Sequence, residues 1–311
     1  MSRYPFMDYV NEYMDSLRGV HAEITWDTLM RRYRGMEREL IKLKEEKKIS
    51  TVSPKNMTVE DVRQYLIYRK SLNTSSSDMR HTISAVRGLL GFIENTSAEI
   101  CLIKNPGLKP KGRSPKLPSM EDRTYRKILA RSEEVGPEDW ERTRAYALVL
   151  LCIRTGTRNK EIRLADVFDI DTNNWILDIR HVKGEDSYGS PRKVPIHPDI
   201  RPIVARYLLL RKKWLTEKDL RSDVLFPSFM SKDGYLSSNS LRKIKMIVEK
   251  DINEKFDFRT CRRTFGQQYI DSGVKVESVS VAMGHMTTNT TEKYYCRKSQ
   301  TEASEDLREV W

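Results

Sequence analysis

The chain is 311 residues long and carries 56 Lys and Arg against 44 Asp and Glu, a formal net charge of +12, with a sequence pI of about 9.4. At roughly 100–200 residues per domain, this length predicts two domains. Apolar residues make up 38%, enough for ordinary cores, and no uncharged apolar run approaches the roughly 20 residues that span a bilayer, so no membrane association is expected. The start, Met1-Ser2-Arg3-Tyr4-Pro5, lacks an apolar signal core, so secretion is not expected. Cys101, Cys152, Cys261 and Cys296 stand far apart with no CxxC pair. That disfavours a disulfide framework or a Cys-based zinc site and fits a cytoplasmic location. The positive excess points toward polyanions, although a basic, well-solvated surface fits it equally.

The first hundred residues read as helices. Tyr4 to Leu17 is short and amphipathic. Thr25 to Lys47 is longer, with Trp26, Leu29, Met30, Tyr33, Met36, Leu40 and Leu43 on an i, i+3, i+4, i+7 stripe. Arg31, Arg34, Arg38 and Lys42 lie off it. A third helix is predicted to start at Thr58, where Asp61 completes a capping box. A fourth runs from Ser75-Ser76-Ser77 to Ile93. These four make a helical N-terminal unit over residues 1–103. Residues 104–118 hold four prolines, two glycines, five basic residues and no acid, which marks a linker. It reads either as a solvated tether or as a basic strap along a phosphate backbone, and the unbroken positive sign favours the strap.

A second domain is expected over 119–311. Its predicted helices are Ser119–Ser132, with Asp122 completing a capping box, and the more apolar Pro137–Arg154. Strands follow at Trp175–Lys183 and Arg192–Ile196, joined by a turn over Gly184–Pro191. Helices return at Asp199–Leu215, Ser240–Lys250, Arg259–Ser272, Val276–Met283, Asn289–Arg297 and, at the tail, Glu302–Trp311. The fold class is therefore mainly α with a small β-hairpin.

HExxH, GxSxG and Walker-type templates are missing, and no two of the five histidines share helical ligand spacing, so no metal or nucleotide cofactor is expected. Three segments are unusual. In Thr155-Gly156-Thr157-Arg158-Asn159-Lys160-Glu161-Ile162, Arg158 and Glu161 are three apart and can pair, as a structural cap or as a cleft wall. Arg259, Arg262 and Arg263 fall on one helical turn, where three guanidiniums repel unless an anion is bound; an exposed basic face is the alternative. Met283-Gly284-His285 precedes a Thr-rich turn and a helix with Tyr294 and Tyr295.

In this order the segments resemble the tyrosine recombinase family, which includes the lambda-type phage integrases and the Xer-type recombinases. Thr155-Gly156-Thr157-Arg158 with Glu161-Ile162 matches its T-G-x-R-x-x-E-[IL] box. Val182-Lys183-Gly184 matches the hairpin lysine. Arg259-x-x-Arg262-Arg263-Thr264-Phe265 matches H-x-x-R-H-T-F, with Arg in place of the first His. Met283-Gly284-His285 matches [LM]-G-H, and Thr290-Thr291-Glu292-Lys293-Tyr294 matches T-T-x-x-Y. The resemblance covers residues 119–300. It implies a helical, SAM-like core-binding domain followed by an α+β catalytic domain.

The same resemblance implies a site-specific recombinase or integrase acting on double-stranded DNA without metal or nucleotide. Tyr294 would attack the phosphorus and leave a 3′-phosphotyrosyl link. Arg158 and Arg262 would clamp the non-bridging oxygens, Lys183 would protonate the leaving 5′-oxygen, and Arg259 would add a positive contact. Glu161 would orient Arg158, Arg263 would support the site from behind, and Tyr295 would pack. Arg259 cannot act as a neutral base, which makes His285, with an ordinary pKa near ~6.5, the nearest candidate. A homotetramer on two duplexes, with exchange of the C-terminal tail, is implied. Arg259 and the run before Tyr295 lean toward an archaeal or mobile-element member. Type IB topoisomerase-like cleavage and an inactive DNA-binding relative are the alternatives.

Overall fold

A computed structural model describes residues 5–20, 23–110, 117–182 and 190–294, together with Arg308. The chain forms two compact units, Met1–Pro115 and Lys116–Trp311.

Among its described residues the first unit contains five α-helices: α1 (Phe6–Ser16), α2 (Glu23–Glu45), α3 (Val59–Ser71), α4 (Ser76–Phe92) and α5 (Ser97–Lys104). The apolar stripe on α2 forms much of its core, with Tyr33, Leu40 and Leu43 fully buried beside Leu66, Leu89 and Leu90. Tyr33 donates its hydroxyl proton to Ala85 O at 2.8 Å, so even this deep phenol is satisfied. A polar network ties three helices together: Arg69 pairs with Glu39 at 2.6 Å and also with Asp78, which takes Arg32 at 2.8 Å. The capping box at Thr58 and Asp61 is present, and Ser75 caps α4.

The four-helix reading of this unit is corrected by α5. Its eight residues are too few to display a helical period, and its N-cap residue, Thr96, makes no side-chain cap. The Pro-rich run also begins inside this unit. Residues Pro106–Leu108 form a 3₁₀ turn with Leu108 buried in the helical core, so the tether reading does not hold there. Residues 111–116 lie outside the described residues.

The second unit is built around α7 (Trp140–Thr155). Its run from Ala145 to Ile153 is buried on every side, as an all-round apolar helix must be. α6 (Asp122–Glu133), α9 (Arg201–Glu217), α10 (Ser238–Ile252) and α11 (Phe258–Asp271) pack against it. α8 (Asn159–Arg163) follows α7 directly, and α12 (Val276–Met283) and α13 (Thr288–Tyr294) follow α11. A three-stranded antiparallel sheet runs β1 (Ile170–Asp171), β2 (Ile176–Ile179) and β3 (Arg192–Pro195), with Leu177 opposite Val194 and Ile179 opposite Arg192. The mainly helical fold with a small sheet is as expected.

Three local expectations change. β2 starts after Trp175, whose left-handed φ of 54° interrupts the extended strand although its carbonyl still accepts from Ile196 N. The two-residue β1 is too short to announce itself. α6 begins at Asp122, and its N-cap, Glu121, makes no side-chain cap. The preceding segment is held instead by α11: Met120 N donates to Thr264 Oγ1 at 2.8 Å, and Arg263 Nε to Pro118 O at 2.8 Å. Among the described residues no helix is long and apolar enough to cross a membrane.

Candidate active site

Glu161 is the centre of the charged cluster. It sits at the third position of α8, and its side chain is fully buried. Its Oε2 accepts from the Arg158 backbone N–H at 2.7 Å, closing the start of the helix. Its Oε1 accepts from Arg158 Nη1 at 2.6 Å. From β3, Arg192 donates Nη2 to Oε2 at 2.8 Å and Nη1 to Oε1 at 3.3 Å. Arg262, on α11, places Nη1 at 4.0 Å from Oε2. Burial alone would push this carboxyl up. The Arg192 hydrogen bonds and charge, the Arg158 N–H and the Arg262 charge outweigh it and hold it at about 2. The group is an anion at any working pH.

The other two boxes close on the same point because two glycines let the chain turn and pack. Gly156 ends α7 at φ 61°, and a Cβ there would lie 2.6 Å from the Phe265 ring on α11. Gly284 ends α12 at φ 62°, and its Cβ would lie 2.8 Å from Arg192 Nη1. Both positions therefore exclude a side chain, on conformation and on space. Arg262 spans the two turns, donating Nη1 to Gly156 O and Nη2 to Met283 O. Arg158 Nη2 reaches Gly284 O at 3.4 Å.

His285 follows Gly284 and lies beside Arg262, with Nη2 to Nε2 at 3.1 Å. A guanidinium only donates, so Nε2 accepts and the ring proton is on Nδ1, which donates to Thr291 Oγ1 at 2.8 Å. Burial and the neighbouring Arg262, Arg158 and Arg192 lower the imidazole pKa to about 3. The ordinary value that favoured His285 as a base therefore does not hold in the DNA-free site, because the ring is buried and three cations face it.

Of the expected site residues, Arg158, Arg262 and His285 are thus brought together. Arg158 keeps 27% of its side chain exposed and Arg262 11%, so both reach solvent while their shared carboxylate does not. Arg259, at the start of α11, is exposed. Arg263 turns away to Pro118 O and Thr260 Oγ1. The three guanidiniums of this turn therefore do not share one anion. Tyr294 ends α13, three residues after the buried Thr291. Its hydroxyl lies outside the described atoms, as do Lys183, Tyr295 and the tail reading, Arg308 apart. Sequence reasoning missed Arg192 and Thr291. The available signal for Arg192 was a cation in phase with Val194 and Ile196 on a strand.

Residues 118–302 match the phage integrase family. The chain belongs to that family. The tyrosine recombinase XerC of Rickettsia typhi is 25% identical over 247 residues, covering 77% of this chain and 75% of its own. The XerC of Syntrophus aciditrophicus is 27% identical over 161 residues, 51% of this chain and 50% of its own. Two solved structures share the fold. The Tn1549 transposon integrase in complex with transposon right end DNA gives a TM-score of 0.66 at 13% identity, covering 97% of this chain and 99% of that one. The XerH site-specific recombinase bound to difH substrate gives 0.63 at 18% identity, covering 90% and 79%. This member of the family is a DNA recombinase enzyme of the tyrosine type.

Proposed function

We propose that the cluster around Glu161 binds one scissile phosphate of duplex DNA, and that Tyr294 attacks it to form a 3′-phosphotyrosyl link. The observation that carries this reading is the convergence of Arg158 and Arg262 on one buried carboxylate, with His285 held beside Arg262. Three guanidiniums and one carboxylate leave a surplus of two positive charges. That matches the charge of the phosphorane formed when a tyrosinate adds to a phosphodiester. Donors fixed before the substrate arrives cost no reorganisation during the reaction. Glu161 holds Arg158 in place, and Arg158 with Arg262 takes the non-bridging oxygens, a task suited to planar, permanently charged donors.

His285 enters this scheme neutral. An arriving phosphate brings negative charge against the ring and raises its pKa, so Nε2 becomes able to take a proton as Tyr294 attacks. Lys183 supplies the proton to the leaving 5′-hydroxyl, and the exposed Arg259 adds a flanking phosphate contact. The helical unit over 1–103 acts as a core-binding domain, with residues 119–311 as the catalytic domain. Joining two duplexes takes four protomers, linked through their C-terminal tails.

A nicked duplex carrying the sequence that the protein selects from a random pool tests this. The wild type should form a covalent adduct, Tyr294→Phe none, and Tyr295→Phe an adduct at close to the wild-type rate. No adduct with the wild type on that site would sink the reading in favour of DNA binding alone. Relaxation of any supercoiled plasmid by a monomer would favour a topoisomerase-like activity.

A further inference from the structure

We propose that Arg192 is a positioning residue for strand cleavage, locking the Glu161 carboxylate and the Gly284–His285 turn to strand β3. This rests on reading the Glu161 cluster as the cleavage site. The Arg192 side chain is 4% exposed, so it has no route to a substrate oxygen. All its described contacts are internal. Nη1 and Nη2 go to the two Glu161 oxygens, and Nε donates to Ala282 O at 2.7 Å. Its guanidinium also fills the space that a Cβ on Gly284 would need. One side chain thus joins three segments: the helix that presents Arg158, the strand of the hairpin, and the turn that presents His285.

Stability alone is a weak reason for this arrangement. A buried ion pair is often no better than an apolar residue of similar volume. What the guanidinium adds is direction. Its fork grips both carboxylate oxygens while Nε points elsewhere, a geometry an ammonium cannot copy. Without the fork, Glu161 keeps the partly exposed Arg158 as its close partner among the described residues. It is then free to close the 4.0 Å gap to Arg262 and draw that guanidinium from His285 Nε2. The substrate clamp and the imidazole would both lose their registration.

The decisive variant is Arg192→Lys, which keeps the charge and removes the fork; Arg192→Met is its companion. Imidazole ¹⁵N spectra of the DNA-free protein, with His285 assigned by His285→Gln, should show a single Nδ1–H tautomer in the wild type. Arg192→Lys should give a mixture. On the nicked duplex, Arg192→Lys should form the adduct about tenfold more slowly or worse, since small misplacements at a reacting centre carry penalties up to ~10²-fold. DNA affinity and the final adduct yield should stay within about twofold of wild type on this argument, because the flanking phosphate contacts that dominate affinity do not involve Arg192. An unchanged tautomer, or cleavage within twofold of wild type, would overturn the proposal. So would failure of both variants to fold, which would make Arg192 a purely structural ion-pair residue. If the wild type forms no adduct, the recombinase reading fails while the spectra still decide the positioning.

Discussion

At the residue scale, the site is a problem of unequal charges in a small volume. Glu161 and His285 are both pushed toward their deprotonated forms, for related reasons. Three guanidiniums stabilise the carboxylate and penalise an imidazolium. Each group binds more protons unfolded than folded, so each makes the fold less stable in acid. The Glu161 contribution is whole above pH 4.5 and is lost as pH falls toward 2. The His285 contribution is whole above pH 6.5 and is lost as pH falls toward 3. Thermal melts of the wild type should therefore fall between pH 7 and pH 5. His285→Gln should flatten that fall while leaving the loss below pH 4.5. Parallel curves for the two proteins would contradict the protonation state assigned here. Five motif boxes made Arg158, Arg262 and His285 legible in the sequence. The shifted imidazole was not, because it depends first on burial and on how closely Arg262, Arg158 and Arg192 approach the ring, which only the fold determines.

At the element scale, a hydrogen bond among the described residues ties helix α13 to the site. Thr291 is fully buried and takes the Nδ1 proton of His285, and Tyr294 lies one turn further along the same helix. Thr291→Val keeps the volume and removes that acceptor. It should slow adduct formation on the nicked duplex by about fivefold, the scale of losing one hydrogen bond of ~1 kcal/mol at a positioned group. Thr291→Ser should restore most of the rate. Equal rates for all three proteins would show that the bond plays no part in placing α13. Long elements were readable because periodicity and caps agree, as at Thr58 and in the stripe on α2. Short ones were not. α5 has eight residues and an N-cap threonine, Thr96, that makes no side-chain cap, and the Ser119 cap fails because Thr264 and Arg263 claim the backbone around it. The hairpin strand was read one residue early because nothing in the sequence marks Trp175 as left-handed, and too far at its other end, where β2 stops at Ile179.

At the scale of the whole molecule, the net charge of +12 is divided between two uses. Arg69, Arg154, Arg192 and Arg211 are bound inside the units. Arg154 stacks over Tyr125 and pairs with Asp199, and Arg211 donates to the Val224 and Ser222 carbonyls. Composition counts these as available for a polyanion, and the fold withdraws them. Others stay outside. Arg31, Arg34, Arg38 and Lys42 are exposed along α2, on the face opposite its buried stripe. If that row neutralises phosphates, replacing Arg31, Arg34 and Arg38 with Gln should make the salt dependence of DNA binding shallower by about 2–3 units in log K against log salt, at ~0.9 per phosphate contact. An unchanged slope would remove the row from the interface.

The central claim is that one tyrosine, delivered to the Arg158–Arg262–His285 cluster, carries the cut strand. Protease digestion of the trapped protein–DNA adduct, followed by mass spectrometry of the nucleotide-bearing peptide, tests it most directly. The account predicts a phosphodiester linkage on Tyr294, retained in Arg259→Ala and absent in Tyr294→Phe. A linkage on Tyr295, or on any residue outside α13, would contradict it.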